Sequence, residues 1–135
     1  VAGLTAAGVR ACGKHFPGLG HAQQDSHEVL PTVPEWEAGE LRPFVELNLP
    51  ALMVSHAVYP ALDKRPASLS SVIITGLLRQ KLGYTGLILT DDMEMGAIHN
   101  FERAVVEAAQ AGTDIILVCH TPAKILAAAE ALARA

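Results

Sequence analysis

The 135-residue chain has little of several things, and each shortage removes a class of function. Aromatic residues make up only 4% of it, and no cluster of Lys or Arg interrupts a formal net charge of -4. Without a basic patch or interleaved stacking side chains it offers no footprint for nucleic acid or an anionic membrane. No apolar run approaches the roughly 20 residues that cross a bilayer. The opening VAGLTAAGVRACG lacks a basic segment followed by a long apolar one. The two cysteines, Cys12 and Cys119, each lie in an apolar run, where a small buried thiol is expected rather than a disulfide or a metal ligand. KHFPGLG is not GxGxxG, nothing matches GxxxxGK[ST], and no two histidines stand as HxH or HExxH.

What is present is a chain that is 50% hydrophobic, enough for one globular unit with a sizeable core and a small-molecule ligand. It does not begin with methionine, so we expect it to start within a longer protein. The stretch Lys14 to His27, KHFPGLGHAQQDSH, holds one lysine, three histidines and one aspartate, broken by Pro17, Gly18 and Gly20. That much proton-transfer capacity after an apolar run points to a functional loop past the carboxyl end of a buried strand. Asp25 and His27 stand two apart, so in an extended segment they share a side and the carboxylate can fix the imidazole tautomer.

Around that loop the pattern alternates. Val9 to Phe16, Ala51 to Val58, Gly86 to Thr90 and Asp114 to Cys119 are short apolar runs, as strands buried on both faces require. Helices are predicted over Glu35–Asn48 with a turn or break at Pro43, after Ser70 or Ser71 with an apolar face of Val72, Ile73, Leu77, Leu78 and Leu82, after an Asn100 cap, and from Thr121–Pro122 to the end. Gly83 and Gly112 are the predicted helix stops. YPALDKRPAS reads as a loop.

Alternating strand and helix predicts an α/β fold with a parallel sheet. Because the phosphate-binding fingerprints of doubly wound sheets are missing, a TIM-type (β/α)8 barrel is preferred. A complete barrel takes about 250 residues, so residues 1–135 read as one partial barrel domain of about four βα units, approximately half a barrel. The strand ends carry Lys14 and His15, Ser55 and His56, Asp91 and Asp92, and His120, which a parallel sheet brings to one side.

KHFPGLG, DSH, RPAS, LRQKLGYTGLILTDDMEMGAI and AGTDIILVC, in that order, resemble glycoside hydrolase family 3 in its bacterial β-N-acetylglucosaminidase branch. The resemblance covers nearly the whole chain. It implies a retaining enzyme that removes terminal N-acetylglucosamine from cell-wall muropeptides in peptidoglycan recycling, in the cytoplasm, without cofactor or metal. It also implies that Asp91 is the nucleophile, that His27 is the general acid/base oriented by Asp25, that Lys14 and His15 bond sugar hydroxyls, and that Met95 lines the pocket. Leu19 departs from the pattern, since the family often has a histidine there. An aspartate and an arginine that grip the sugar in the family come from the N-terminal half of its barrel, not in this sequence, so the resemblance implies that this chain is the C-terminal part of the TIM-type (β/α)8 barrel.

Strand alternation places Leu87, Leu89 and Asp91 on one face and Ile88, Thr90 and Asp92 on the other, so one aspartate alone points at a given site. Asp92 is expected to bond the loop or cap backbone donors. For His56, a place in the sugar site and a strand-end histidine held by neighbouring backbone both stay open. Pro17, Gly18 and Gly20 before HAQQ predict a loop that swings over bound sugar. Three other readings compete: a family 3 phosphorylase, a metal-dependent hydrolase using His15, His21, Asp25, His27 and His56, and an inactive half-barrel. Such a half-barrel would self-associate through its unpaired edges and uncovered inner face.

Overall fold

The computed structural model describes all of residues 1–135. Four strands, β1 (Cys12–Phe16), β2 (Ala51–Val54), β5 (Leu87–Asp92) and β6 (Ile115–Leu117), form one sheet in the order β1-β2-β5-β6. Every neighbouring pair in it is parallel. Between β2 and β5 a short antiparallel hairpin, β3 (Val58–Tyr59) and β4 (Asp63–Pro66), leads into a π-helix over Val72–Lys81. Helices α1 (Ala2–Ala6), α2 (Arg42–Glu46), α3 (Phe101–Ala111) and α4 (Pro122–Ala133) complete the chain, with single 3₁₀ turns at Ala38–Leu41 and Ala67–Leu69. The expected alternation is thus observed, as four strands of a TIM-barrel-type α/β fold.

The two faces of the sheet differ. Leu52, Val54, Ile88 and Thr90 are fully buried on the outer face, packed in a core with Phe16, Ile73, Ile74 and Leu78. On the inner face Leu87 is 44% and Ile115 38% exposed. Strands buried on both faces were expected, yet only the side packed against the helices is covered. An inner barrel face is covered by strands from across the barrel, and this sheet has four. The same fact corrects the cysteines. Cys12 lies on the open inner face and Cys119 lies beyond β6, and both are free and exposed.

Other local expectations also shift. The run Ala51–Val58 is one strand only to Val54, because the chain turns at Ser55 and His56 into β3. The Ser55 hydroxyl accepts the Ala57 N–H (2.9 Å) and stabilises that turn. YPALDKRPAS is the β3–β4 hairpin rather than a loop. In the π-helix the Gly76 and Leu82 N–H groups donate to Ser71 and Leu77, five residues back. That wider winding buries Ile74 and leaves Val72 53% exposed, opposite to the ordinary helical reading of these two. Ser71 holds the N-cap position of this helix without a side-chain cap bond, while the Ser70 hydroxyl, one residue earlier, accepts the Ile73 N–H (3.2 Å). Gly83 and Gly112 end their helices with φ of +67° and +103°, the conformation glycine adopts without a Cβ penalty.

Two predicted caps act differently. Asn100 and Thr121 hold the N-cap positions of α3 and α4, but neither side chain caps. For α4 the acceptor is Glu94, from the loop after β5. Its Oε2 accepts the His120 and Thr121 N–H groups (2.6 and 2.9 Å), while Oε1 lies 3.5 Å from Lys124 Nζ. The Thr121 side chain and backbone, the His120 N–H and the Lys124 charge together outweigh burial and lower the Glu94 carboxyl from 4.5 to about 2. No helix is long and apolar enough to cross a membrane.

Two stability measurements follow. Ile88→Ala, in the central strand, should lower unfolding free energy by about 2–5 kcal/mol in urea titrations. Glu94 is more acidic folded than unfolded, so its contribution is complete above pH 4.5 and disappears as pH falls toward 2. Glu94→Gln should therefore melt below wild type at pH 7, and the difference should close on acidification through that window. A gap that persists at pH 2 would contradict the assignment.

Candidate active site

Parallel strands end on one side, and here the ends carry the chemistry. The β1–β2 register follows Cys12↔Ala51 and Lys14↔Met53, then slips by one residue between Lys14 and Phe16. The slip makes His15 the extra residue of a bulge. Lys14 shares a face with Met53, and His15 reaches toward that same inner face, where its Nε2 lies 3.3 Å from Asp91 Oδ2. A similar irregularity falls between Leu89 and Asp92 on β5. Both central site residues, His15 and Asp91, therefore sit where a ladder is interrupted at its carboxyl end.

Asp91 and Asp92 face opposite ways, as alternation requires. Burial works against the Asp91 carboxylate. The hydrogen bond from His15, the Asp92 N–H (2.9 Å) and the His15 charge outweigh it, and the carboxyl lies below the ordinary aspartate range. Asp91 is thus an ionised, half-buried carboxylate aimed at the open inner face. Asp92 is held from behind: its Oδ1 accepts the Glu94 and Cys119 N–H groups (3.1 and 3.2 Å), and its Oδ2 lies 2.9 Å from His120 Nε2. That is the scaffold geometry expected of Asp92.

His56 is buried with both ring nitrogens engaged. Nε2 lies 3.0 Å from the Asp92 carbonyl and Nδ1 2.7 Å from Ser68 Oγ. A carbonyl only accepts, so Nε2 carries the proton and Nδ1 accepts the Ser68 hydroxyl. Burial lowers its pKa despite the Asp92 carbonyl and both nearby carboxylates, and in the neutral form this tautomer satisfies both partners. Of the two open readings for His56, the geometry is that of a strand-end histidine held by its neighbours, bracing the backbone between the two aspartates' strand and the β3–β4 side.

The Asp25–His27 pair forms, though not in an extended segment. Glu28 and Val29 N–H groups both donate to the Asp25 carbonyl (3.1 Å each), so the chain turns here. Asp25 Oδ1 accepts the His27 N–H at 2.9 Å and lies 2.7 Å from His27 Nδ1. Those two hydrogen bonds, backbone first, lower the Asp25 pKa. With Nδ1–H donated to Asp25, His27 Nε2 is left to exchange a proton with a ligand. Both side chains are exposed. The loop is pinned by the Trp36 indole N–H to the Pro17 carbonyl (2.8 Å), by a bridge between Thr32 and Val58, and by bonds to the loop after β5.

The remaining residues are less close-knit. Lys14 is exposed at the rim of the inner face, and Met95 is 7% exposed in the turn after Asp92. Leu19 packs against the main core. His21 is drawn away to the Glu35 carbonyl (3.3 Å) and Glu40 (3.5 Å). The five residues weighed as metal ligands are therefore dispersed, and no three His, Cys, Asp or Glu side chains are grouped to hold an ion. Sequence reasoning left out Ser68, Glu94 and His120 as supporting residues. The strand-end position of His120 was the one available signal, since the other two act through contacts distant in sequence.

Comparison with known proteins places this geometry. The family described as glycosyl hydrolase family 3 N terminal domain matches residues 1–135. A β-hexosaminidase from Neisseria gonorrhoeae is 42% identical over 131 residues, covering 89% of this chain and 36% of that protein. One from Chromobacterium violaceum is 39% identical, covering 97% and 40%. Among solved structures, a family 3 β-N-acetylglucosaminidase from a Paenibacillus species superposes with a TM-score of 0.91 at 45% identity, over 98% of this chain and 27% of that one. A β-N-acetylhexosaminidase from Beutenbergia cavernae gives 0.88 at 33%, over 98% and 41%. The chain thus spans a little over a third of the length of the curated relatives it matches. With its whole length matched and its strand-end carboxylates and histidines in one parallel sheet, the chain belongs to glycosyl hydrolase family 3.

Proposed function

We propose that this chain carries the reacting groups of a retaining β-N-acetylglucosaminidase acting on terminal N-acetylglucosamine of cell-wall muropeptides, in the cytoplasm. The observation that carries the reading is one ionised carboxylate, Asp91, on the inner face beside His15, together with an Asp25–His27 dyad on a loop tied to the same strand's exit. The relatives' names support the sugar and the reaction class.

In the first step an Asp91 oxygen attacks the anomeric carbon. The bond from that carbon to the leaving oxygen breaks, its electron pair staying on that oxygen, which takes a proton from His27 Nε2. In the second step His27, now neutral, takes a proton from water, whose oxygen displaces Asp91 from the sugar. Two inversions give net retention. Histidine replaces the usual carboxylic acid here, and the Asp25 carboxylate on Nδ1 fixes the tautomer that leaves Nε2 to face the leaving oxygen. Lys14, His15 and Met95 bind the sugar in this scheme, and no cofactor or metal takes part. His56 supports the site from behind.

We also infer that the open inner face and the free edges of β1 and β6 lead the chain to self-associate. Size-exclusion chromatography should then show species larger than a monomer, growing with concentration; a monomer throughout would contradict it. For the reaction, release of para-nitrophenol from its N-acetyl-β-glucosaminide should drop by roughly 10⁴-fold or more in Asp91→Asn and by roughly 10²–10⁴-fold in His27→Ala. The first-formed sugar should keep the β configuration by NMR. Wild-type rates in Asp91→Asn, or an inverted product, would refute the mechanism.

A further inference from the structure

One glycine near the site lies in a turn, closed by the Ile98 N–H to the Met95 carbonyl (2.9 Å), that does not itself require glycine. Gly96, five residues past Asp91, has a φ outside the left-handed region. Its N–H donates to the His27 carbonyl at 3.0 Å, and the next N–H, of Ala97, donates to the Ser26 carbonyl at 3.3 Å. These two bonds hold the middle of the dyad loop against the exit of β5. A Cβ on Gly96 would fall on the Glu28 carbonyl oxygen, 2.7 Å from the Glu28 carbonyl carbon and 2.8 Å from the His27 carbonyl oxygen. All three atoms are backbone, so no side-chain rotation can make room. The dyad loop itself would have to lift.

The other glycines of this region behave differently. A Cβ on Gly18 would meet the flexible Glu40 side chain, at a φ of +123° that is strained for any other residue. A Cβ on Gly20 or Gly39 meets nothing within 4 Å. Of the glycines near the dyad, only Gly96 lets the backbone carrying His27 sit directly on the loop that leaves the strand carrying Asp91.

We propose that Gly96 is the seat of the acid/base loop, a positioning residue that sets where His27 stands relative to Asp91. It rests on the retaining-hydrolase reading above and adds a part to it. The packing makes a specific demand on kinetics. Asp91 belongs to β5, whose register does not involve the dyad loop, so widening the Gly96 contact displaces the proton donor and leaves the nucleophile in place. Glycosides with a poor leaving group need the proton in the step that kcat/KM reports. Dinitrophenyl glycosides, whose leaving group departs as a stable anion, do not.

The test compares methylumbelliferyl and dinitrophenyl N-acetyl-β-glucosaminides on Gly96→Ala, with Gly39→Ala as control. An ångström of misplacement can cost on the order of 10²-fold, so kcat/KM for methylumbelliferyl should fall by that order while dinitrophenyl changes little, and Gly39→Ala should match wild type. Equal losses on both substrates, or none on either, would overturn the proposal. His27→Ala separates it from the reading beneath: if His27→Ala also shows no leaving-group dependence, the acid/base assignment fails; if it does and Gly96→Ala does not, the seat alone fails. Wild-type amide exchange gives a readout independent of turnover or of the variant's folding. The Gly96 and Ala97 amides should be protected, with free exchange there overturning the proposal, and Gly96→Ala should speed exchange across residues 22–29 while leaving β2 and β5 unchanged.

Discussion

The period-two alternation of β5 is the constraint on which the rest of the site depends. Two adjacent carboxylates on one face would repel each other. A strand sends Asp91 inward and Asp92 outward, and each then meets an environment of its own. The outward carboxylate is nearly buried, where an unmet acceptor costs about 1–3 kcal/mol and more when charged. It has the Glu94 and Cys119 N–H groups and His120. Satisfying Asp92 in this way ties β5 to the exit of β6, and Glu94 extends the tie to the first turn of α4. The position of Asp91 is thus secured by its neighbour.

From that fixed point the site divides by rigidity. Asp91 and His15 stand on strand ends, where the core behind the sheet and their own mutual contact limit movement. The dyad stands on a loop between Pro17 and Pro31, fastened at its base by Trp36, at its far end by β3, and in the middle by Gly96 and Ala97. This matches what the roles proposed for the two groups would demand of them. A nucleophile makes one bond along one line, so small displacements are costly. A group that first donates and then accepts a proton must also admit a sugar and a water, which a loop allows.

Much of this was readable in the sequence because it follows from local rules. Apolar runs at strand length, glycine stops and polar residues at strand ends placed the four strands and gathered His15, His56, Asp91 and Asp92 on one side. What was misread involves partners distant in the chain or a departure from regular winding. Glu94 caps α4 from 27 residues away, so Thr121 looked sufficient. The π-helix exchanges Ile74 for Val72 because five-residue hydrogen bonds rotate its buried face. Cys12 looked buried because a strand of a closed barrel would be. The bulge that turns Lys14 and His15 to one face left no compositional mark. The roles of individual site residues came from motif resemblance, since periodicity alone could not choose between two adjacent aspartates.

The open inner face links stability and chemistry. In a closed barrel of this type, inward side chains stack in layers drawn from alternate strands. Here Leu87 and Ile115 occupy the lower part of that face and stay exposed, while Asp91 and His15 occupy its rim. Anything that covers the lower apolar part also excludes water from the rim, which strengthens every charge interaction there. Covering the face would therefore stabilise the sheet and sharpen the site at once. Asp91 and the Asp25–His27 pair are already held in place without it, by Asp92, by His56 and Ser68, and by the contacts at Gly96 and Ala97. Positioning of these side chains and enclosure of the inner face thus have separate physical origins in this fold.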